Sequence, residues 1–434
     1  MNERKGNTVV FHPREGFPGR PNRGLSRRDF ILRSAALGIS LPTLSAILAA
    51  CGGDPDAAGE VLIGTPSNPV TQPLFDDNPA IASGGAPEAG PLRVYNWSDY
   101  INPDTVPVAE EALGVDIELT TYFNEEEAIQ KLISGEVSFD VWFPVAQSIP
   151  KVVAGKLIQP LNHDYLPNLG NVWPQLQNPF YDQGSLYSVP YVVYQTGIAW
   201  RTDHVDDADV LDLANPWDVF WNDKYRGVTG LYDDFRETLY MVMLRNGVAD
   251  PAVASEAEVN AAADGLVELI DLMDIRYTID GVYSGMPEDR FGLHLAWSGD
   301  TVATPFYFPE GADPSVMRYV WPVHVGDSNK GSIANDTMAV LRGSEKPVLA
   351  HQFLNFMLDE NNALENFGWV GYQPPQNGLD VGTLVADEWV PEYLSSAIVL
   401  PEDFDNPRAV VPTQLSAAQE ALMLDAWSKA QAGG

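Results

Sequence analysis

P-L-R-V-Y-N-W-S-D-Y, at positions 91–100, opens the folded body of this 434-residue chain. Residues 92–97 are a short apolar and β-branched run of the kind that forms a strand, and the chain then turns through Trp97, Asp99 and Tyr100. Similar runs recur at 115–122, 140–144, 197–201, 228–232, 293–297, 319–323 and 338–341. Stretches of helical period lie between them at 125–135, 149–155, 216–223, 237–245, 256–273, 346–367 and 415–430. Ser255 with Glu258 forms a plausible capping box, and Gly247 and Gly368 are natural helix stops. This alternation predicts α/β layers with mainly parallel strands. No fixed-period repeat or coiled-coil heptad interrupts it.

Upstream of that body the chain reads as an address. A basic stretch with Arg20, Arg23, Arg27, Arg28 and Arg33 precedes a short apolar segment, Ala35 to Ala50, which ends on L-A-A-C (48–51). The segment is shorter than the roughly 20 apolar residues of a membrane span, and Pro42 interrupts it, which argues against a membrane helix. Arg27–Arg28 followed by Asp29, Phe30 and Ile31 resembles a twin-arginine export signal, and Leu48 to Cys51 resembles a lipobox. The resemblance implies that residues 1–50 are a signal peptide cut before Cys51, whose thiol would carry the lipid anchor. Cys51 is the sole cysteine, so an internal disulfide framework is excluded.

Cutting there leaves 384 residues, enough for two domains with their own cores. The first fifty residues hold eight of the 25 basic and three of the 60 acidic side chains, so the mature part carries a formal net charge of −40. Such a surface repels nucleic acid and anionic headgroups and favours cationic partners. Total charge of this kind also serves plain solubility; only acids gathered in a pocket carry functional information. Residues 51–90, rich in Gly, Pro, Ala and Asp, are expected to be a flexible tether.

Nine local motifs go further: Y-N-W-S-D-Y (95–100), V-D-I-E-L-T-T-Y (115–122), F-D-V-W-F-P (139–144), S-V-P-Y (188–191), L-Y-D-D-F-R-E (231–237), A-W-S-G-D (296–300), V-W-P (320–322), N-D-T-M-A-V (335–340) and G-Y-Q-P-P (371–375). In this order, across nearly all of 92–430, the chain resembles the spermidine/putrescine-type polyamine-binding proteins of ABC transporters. The resemblance implies a type II periplasmic-binding-protein fold with two α/β lobes, a ligand cleft and crossover hinges near Gly197 and Asn335. One lobe would take 91–196 and 334–381, the other 197–333 and 382–434. It further implies an extracytoplasmic, lipid-anchored and usually monomeric protein that hands its solute to permease subunits.

A polyamine is a methylene chain carrying two to four ammonium groups, so its site needs carboxylates at the charges and aromatic faces along the stem. Matched position by position, the resemblance makes Trp97, Tyr100, Trp297 and Tyr372 the aromatic walls and Asp99, Asp234, Glu237 and Asp336 the acids. Each residue has an ordinary alternative: a strand-end Trp packs in a core, and Asp233 or Asp234 caps a helix starting near Arg236. The matched motifs supply mainly acids, and Arg236 reads as structural.

The chain also departs from the family. P-V-A-Q (144–147) puts Val145, Ala146 and Gln147 where hydroxyl and aromatic contacts are common, and Ala334 stands where an aromatic usually precedes the crossover acid. Tyr307, Phe308 or Trp321 could replace that wall, and a different solute on the same fold remains an alternative. An enzyme is the rival class. His163, His204, His294, His324 and His351 show no metal-ligand spacing, and no nucleophile elbow, Walker loop or dinucleotide fingerprint occurs, so no metal or cofactor is expected. A carboxylate pair of glycosidase type is not excluded by counting acids.

Overall fold

The computed structural model describes residues 61–135 and 138–433. The signal segment and Cys51 lie outside the described residues.

Ten strands form one mixed sheet: β1 (Leu92–Trp97), β2 (Ile117–Tyr122), β3 (Val141–Trp142), β4 (Val189–Arg201), β5 (Thr229–Leu231), β6 (Arg276–Tyr277), β7 (Leu293–Trp297), β8 (Met317–Val320), β9 (Gly331–Val340) and β10 (Ala409–Val410). The spatial order is β2-β1-β3-β9-β4-β7-β5-β6, with β8 beside β4 and β10 beside β9. Both flanks are parallel, as the alternation predicts: β1 pairs β2 and β3, and β5 pairs β6 and β7. The middle differs, because the long strands β4 and β9 run antiparallel to each other, and each joins the flank beside it antiparallel as well.

Those two strands are the ones least visible in the sequence. V-P-Y-V-V-Y-Q-T-G-I-A-W-R is buried along its whole length, so it lacks alternation, and Pro190 sits where its register with β9 shifts. In β9 the run A-N-D-T (334–337) is buried although three of its four residues are polar: Asn335 donates to Tyr181 Oη, Thr337 donates to Pro144 O, and Asp336 accepts from Tyr100 Oη. The predicted strands at 197–201 and 338–341 are therefore only the apolar ends of β4 and β9.

The helices used below are α1 (Glu125–Ser134), α2 (Ile149–Ala154), α3 (Phe235–Arg245), α4 (Glu256–Met273), α5 (Ser298–Ala303), α6 (Pro347–Met357), α7 (Glu360–Val370) and α8 (Ala417–Gly433). Ser255 and Glu258 make the predicted capping box of α4. The single helix expected at 346–367 is two, since Asp359 caps a new start by accepting from the N–H groups of Asn361 and Asn362. The second stops at Gly371 (φ 77°) and not at Gly368. The 216–223 helix is a 3-10 turn over Pro216–Trp221.

Two clusters of buried apolar residues form the core, and the larger spans both flanks, holding Leu92, Val94 and Val141 together with Leu231 and Leu293. Tyr95, Tyr122, Ile129, Trp142, Ile149 and Val153 pack together beneath β1–β3. The larger core takes in β4, β5, β7 and helices α3, α4 and α8, where Trp427 of α8 meets Tyr277 edge-on at 5.0 Å.

The expected tether is corrected over its described part. Residues 61–90 are seated on the body by polar anchors: Gln72 Nε2 donates to Tyr181 O at 2.7 Å, Asn78 Nδ2 to Ile158 O at 2.9 Å, and Glu88 accepts from the N–H groups of Val348 and Leu349. Asp77 pairs with Lys156 at 2.9 Å and Arg342 at 3.1 Å. Composition hid this because the seat is made by single polar side chains and by the backbone of Val70, which pairs with Phe180 and Gln183.

Candidate functional site

The carboxyl ends of parallel strands are where open α/β sheets place ligands. Here the ends of β1 and β7, the starts of α1 and α3, and the middles of β4 and β9 surround a cavity of about 190 Å³. All eight residues matched above, Trp97, Asp99, Tyr100, Asp234, Glu237, Trp297, Asp336 and Tyr372, line it. Val145 and Gln147 of the departing P-V-A-Q segment also line it, while Ala146 is turned into the core beneath β1–β3.

The acids sit in distinct settings. Asp336, in mid-strand, is buried and accepts from Tyr100 Oη at 2.7 Å and Tyr194 Oη at 3.5 Å. Burial pushes its carboxyl up to about 7, against the two hydroxyls, which pull it down. Asp234 is the N-cap of α3: its Oδ1 accepts from the N–H groups of Arg236 at 2.9 Å and Glu237 at 3.0 Å. The capping alternative is thus realised by a residue that also lines the cavity. Burial raises its carboxyl, and the Glu237 N–H opposes the rise.

Glu237, in the first turn of α3, accepts from Thr196 Oγ1 at 2.8 Å. It keeps some solvent contact through the cleft, yet protein surrounds it on both sides, and burial with the Asp234 charge raises its carboxyl to about 7. The Trp297 indole N–H lies near enough to oppose that shift but makes no hydrogen bond of ordinary geometry and is otherwise buried without a partner. Asp99 is exposed at the rim in a left-handed turn (φ 56°), a conformation Asp tolerates better than most residues.

Four lining acids had no place among the matched residues, Glu125, Glu126, Asp233 and Asp300, and two of them, Asp300 and Glu125, are buried. Asp300, in the first turn of α5, lines the cavity and accepts from Tyr232 Oη and Tyr372 Oη, both at 2.7 Å. Burial raises it to about 7, with both hydroxyls opposing. It is the last letter of A-W-S-G-D, so the signal was in view. Gly299 before it is required, since a Cβ there would stand 2.3 Å from the Tyr372 ring. Glu125, the first residue of α1, is buried beside the cavity, and burial with the neighbouring Glu126 charge holds its carboxyl well above the ordinary range. Its signal was weak, because E-E-E at a helix start reads as an ordinary favourable first turn.

The aromatic walls interlock. Tyr372 meets Tyr100 edge-on at 5.0 Å and Tyr194 at 5.7 Å, and Trp297 stacks on Tyr232 at 3.9 Å. Trp97 is fixed by its indole N–H on Phe143 O at 3.1 Å. Of the residues considered as replacements for the missing aromatic, Tyr307 lines the cavity. Trp321 is buried elsewhere, donating to Ser332 O at 3.0 Å, and Phe308 packs against the core. Tyr194, directly opposite Ala334 across β4 and β9, brings a ring that the motif search did not find.

Eight carboxylates line the cavity against one guanidinium, Arg236, among the described residues. Acids from both flanks thus face a space walled by rings, which suits a flexible cation with an apolar stem. No group of three or more His, Cys, Asp or Glu among the described residues is arranged to hold a metal ion.

Known proteins give the same picture. The spermidine/putrescine-binding periplasmic protein of Escherichia coli (strain K12) is 24% identical over 296 residues, 68% of this chain and 80% of that protein. The crystal structure of the spermidine/putrescine ABC transporter substrate-binding protein PotD from Streptococcus pneumoniae superposes with a TM-score of 0.62 at 22% identity, over 79% of this chain and 98% of that one. The Tp0655 (TpPotD) lipoprotein of Treponema pallidum gives 0.64 at 19% identity, over 78% and 98%. These likenesses fix the fold as that of periplasmic binding proteins. The bacterial extracellular solute-binding protein pattern matches residues 107–389, well over half the chain, and this protein belongs to that family.

Proposed function

We propose that this chain captures a polyamine of the putrescine or spermidine class in the cleft and delivers it to an ABC permease. The observation that carries the reading is the pairing of buried acids with aromatic walls. Asp300, held by Tyr232 and Tyr372, offers one seat for an ammonium group, and Asp336 with Glu237 and Asp234 offers another. Trp297, Tyr194, Tyr100 and Trp97 lie beside the path of the methylenes. Relatives described as spermidine/putrescine-binding and putrescine-binding periplasmic proteins support the assignment. The chain binds and releases its solute without converting it.

Mechanically, the two lobes are 91–196 with 334–381 and 197–333 with 382–434, and β4 and β9 are the crossovers about which they close. Closure strips water from the ammonium groups, which strengthens their pairing only if each donor finds an acceptor. An analogue one charge short leaves an acid buried and unpaired, which costs several kcal/mol at worst. Export through the twin-arginine pathway and an acyl anchor at Cys51 would keep a monomer near its permease. Replacing Cys51 by Ala should then move the protein from the membrane fraction to the soluble one, and retention in the membrane would make the apolar segment the anchor.

The direct test is a thermal-shift screen of residues 61–434 against putrescine, cadaverine, spermidine and spermine beside sugars, neutral amino acids and anionic solutes. A large shift with a polyamine is expected. A shift with another class alone would mean that P-V-A-Q and Ala334 have re-specified the cleft, and no shift at all would reopen the enzyme reading.

A further inference from the structure

Beyond the acids of the cleft, one buried charge cluster joins the two halves of the molecule. Lys151 belongs to α2, which packs in the core beneath β1–β3, and is only 2% exposed. Its Nζ lies 3.7 Å from Oε1 of Glu420, a buried residue in the first turn of α8, whose helix packs on the opposite half. The same Oε1 lies 3.7 Å from Nη2 of Arg236. Arg236 is the single basic residue among those lining the cavity, and it sits between Asp234 and Glu237 in sequence.

A guanidinium there opposes any cationic ligand. In a site poor in water, a unit charge acts on each ligand charge far more strongly than in bulk solvent. Glu420, which does not line the cavity, reaches Arg236, and Lys151 holds the same carboxylate from the other half.

We propose that Glu420 is a specificity-determining positioning residue: its carboxylate holds Arg236 and offsets its charge, so that the acids dominate the field the cleft presents to the solute. This rests on the polyamine reading. The cleft's preference for polycations then depends on a residue more than 180 positions away in the chain, one that lines no part of the cavity.

Repulsion scales with ligand charge, so its effect on affinity compounds. If Glu420→Gln weakens a dication about tenfold, a monocation of the same length should weaken only about threefold, the square root of that factor. The experiment is calorimetric titration of residues 61–434 near pH 8 with putrescine and with the amino alcohol of the same carbon length. Glu420→Gln should show that unequal loss, and the double variant Arg236→Gln/Glu420→Gln should return both ligands to within about twofold of wild type. A generally disturbed fold would weaken both ligands by one factor, and that result overturns the inference. The double variant keeps the cluster's net charge and so decides the matter even if Glu420→Gln alone does not fold. A folded double variant whose putrescine affinity stays about tenfold down overturns the inference. Failure of wild-type protein to bind putrescine or any other polyamine removes the polyamine reading and this inference with it, whereas wild-type binding without charge-dependent loss removes the inference alone.

Discussion

Replacing Asp336 by Asn should flatten the pH dependence of ligand binding. In the ligand-free protein this carboxyl titrates at about 7, because it is buried in mid-strand with only the hydroxyls of Tyr100 and Tyr194 to support its charge. An ammonium group pairs with the carboxylate, so below that pH binding must first expel a proton. Between pH 7.5 and 5.5, one acid titrating near 7 lowers affinity by roughly 25-fold. Glu237 and Asp300 are raised to about the same value, and because the Asp336 charge is among the causes that raise Glu237, the combined fall should lie between that of one acid and the product of three, on the order of 10⁴. Asp336→Asn should remove about one 25-fold share of that fall, and at pH 7.5 it should weaken binding by roughly ten- to a hundredfold, the size of a lost charged hydrogen bond. Stability should move the other way. A raised acid pKa means that the native state keeps a proton which the unfolded chain has lost, so ligand-free stability declines as pH rises from about 4 to 7. The Asn variant lacks this decline and should melt higher than wild type near pH 8. Calorimetric titration of putrescine at three pH values and constant ionic strength, with melting curves of both proteins, measures each part. A wild-type affinity that is flat across the range, or a variant that keeps the wild-type slope, would refute the reasoning.

Asp234 combines two tasks that substitution can separate. Asn caps a helix about as well as Asp, so Asp234→Asn should not lower the ligand-free melting temperature while weakening polyamine binding about tenfold, whereas Asp234→Ala should lose about 1 kcal/mol of stability with the cap. Equal melting temperatures for the two variants would contradict the capping role. Starting the chain at residue 91 instead of 61 removes the anchors at Gln72, Asp77, Asn78 and Glu88, and should lower the melting temperature by several degrees. An unchanged value would show that the seated segment contributes nothing to stability.

Much of the site was legible in the sequence because its residues stand at strand ends and helix starts, where short motifs mark them. Y-N-W-S-D-Y closes β1, and D-D-F-R-E opens α3 with its own cap. What stayed hidden depends on pairing over long distances. Tyr194 falls between the S-V-P-Y motif and the strand expected at 197–201, and its ring is found opposite Ala334 only when β4 is laid against β9. Glu420 is one acid of the helical stretch at 415–430 with nothing to mark it until Arg236 and Lys151 are brought to it. The crossover strands were shortened for a related reason, since buried polar residues such as Asn335, Asp336 and Thr337 erase the apolar signature of a strand. Conversely, a Gly- and Pro-rich segment looked unattached because its anchors are single polar side chains and one backbone pairing at Val70.

The central claim is that acids from both halves of the cleft bind one polyamine together. Titrating putrescine calorimetrically into residues 61–434, and into the Asp300→Asn/Asp336→Asn variant, tests it most directly. The account predicts one saturable site in the wild type and loss of measurable binding in the variant, with the variant still cooperatively folded. Wild-type affinity in that variant, or no putrescine or spermidine heat in the wild type, would contradict it.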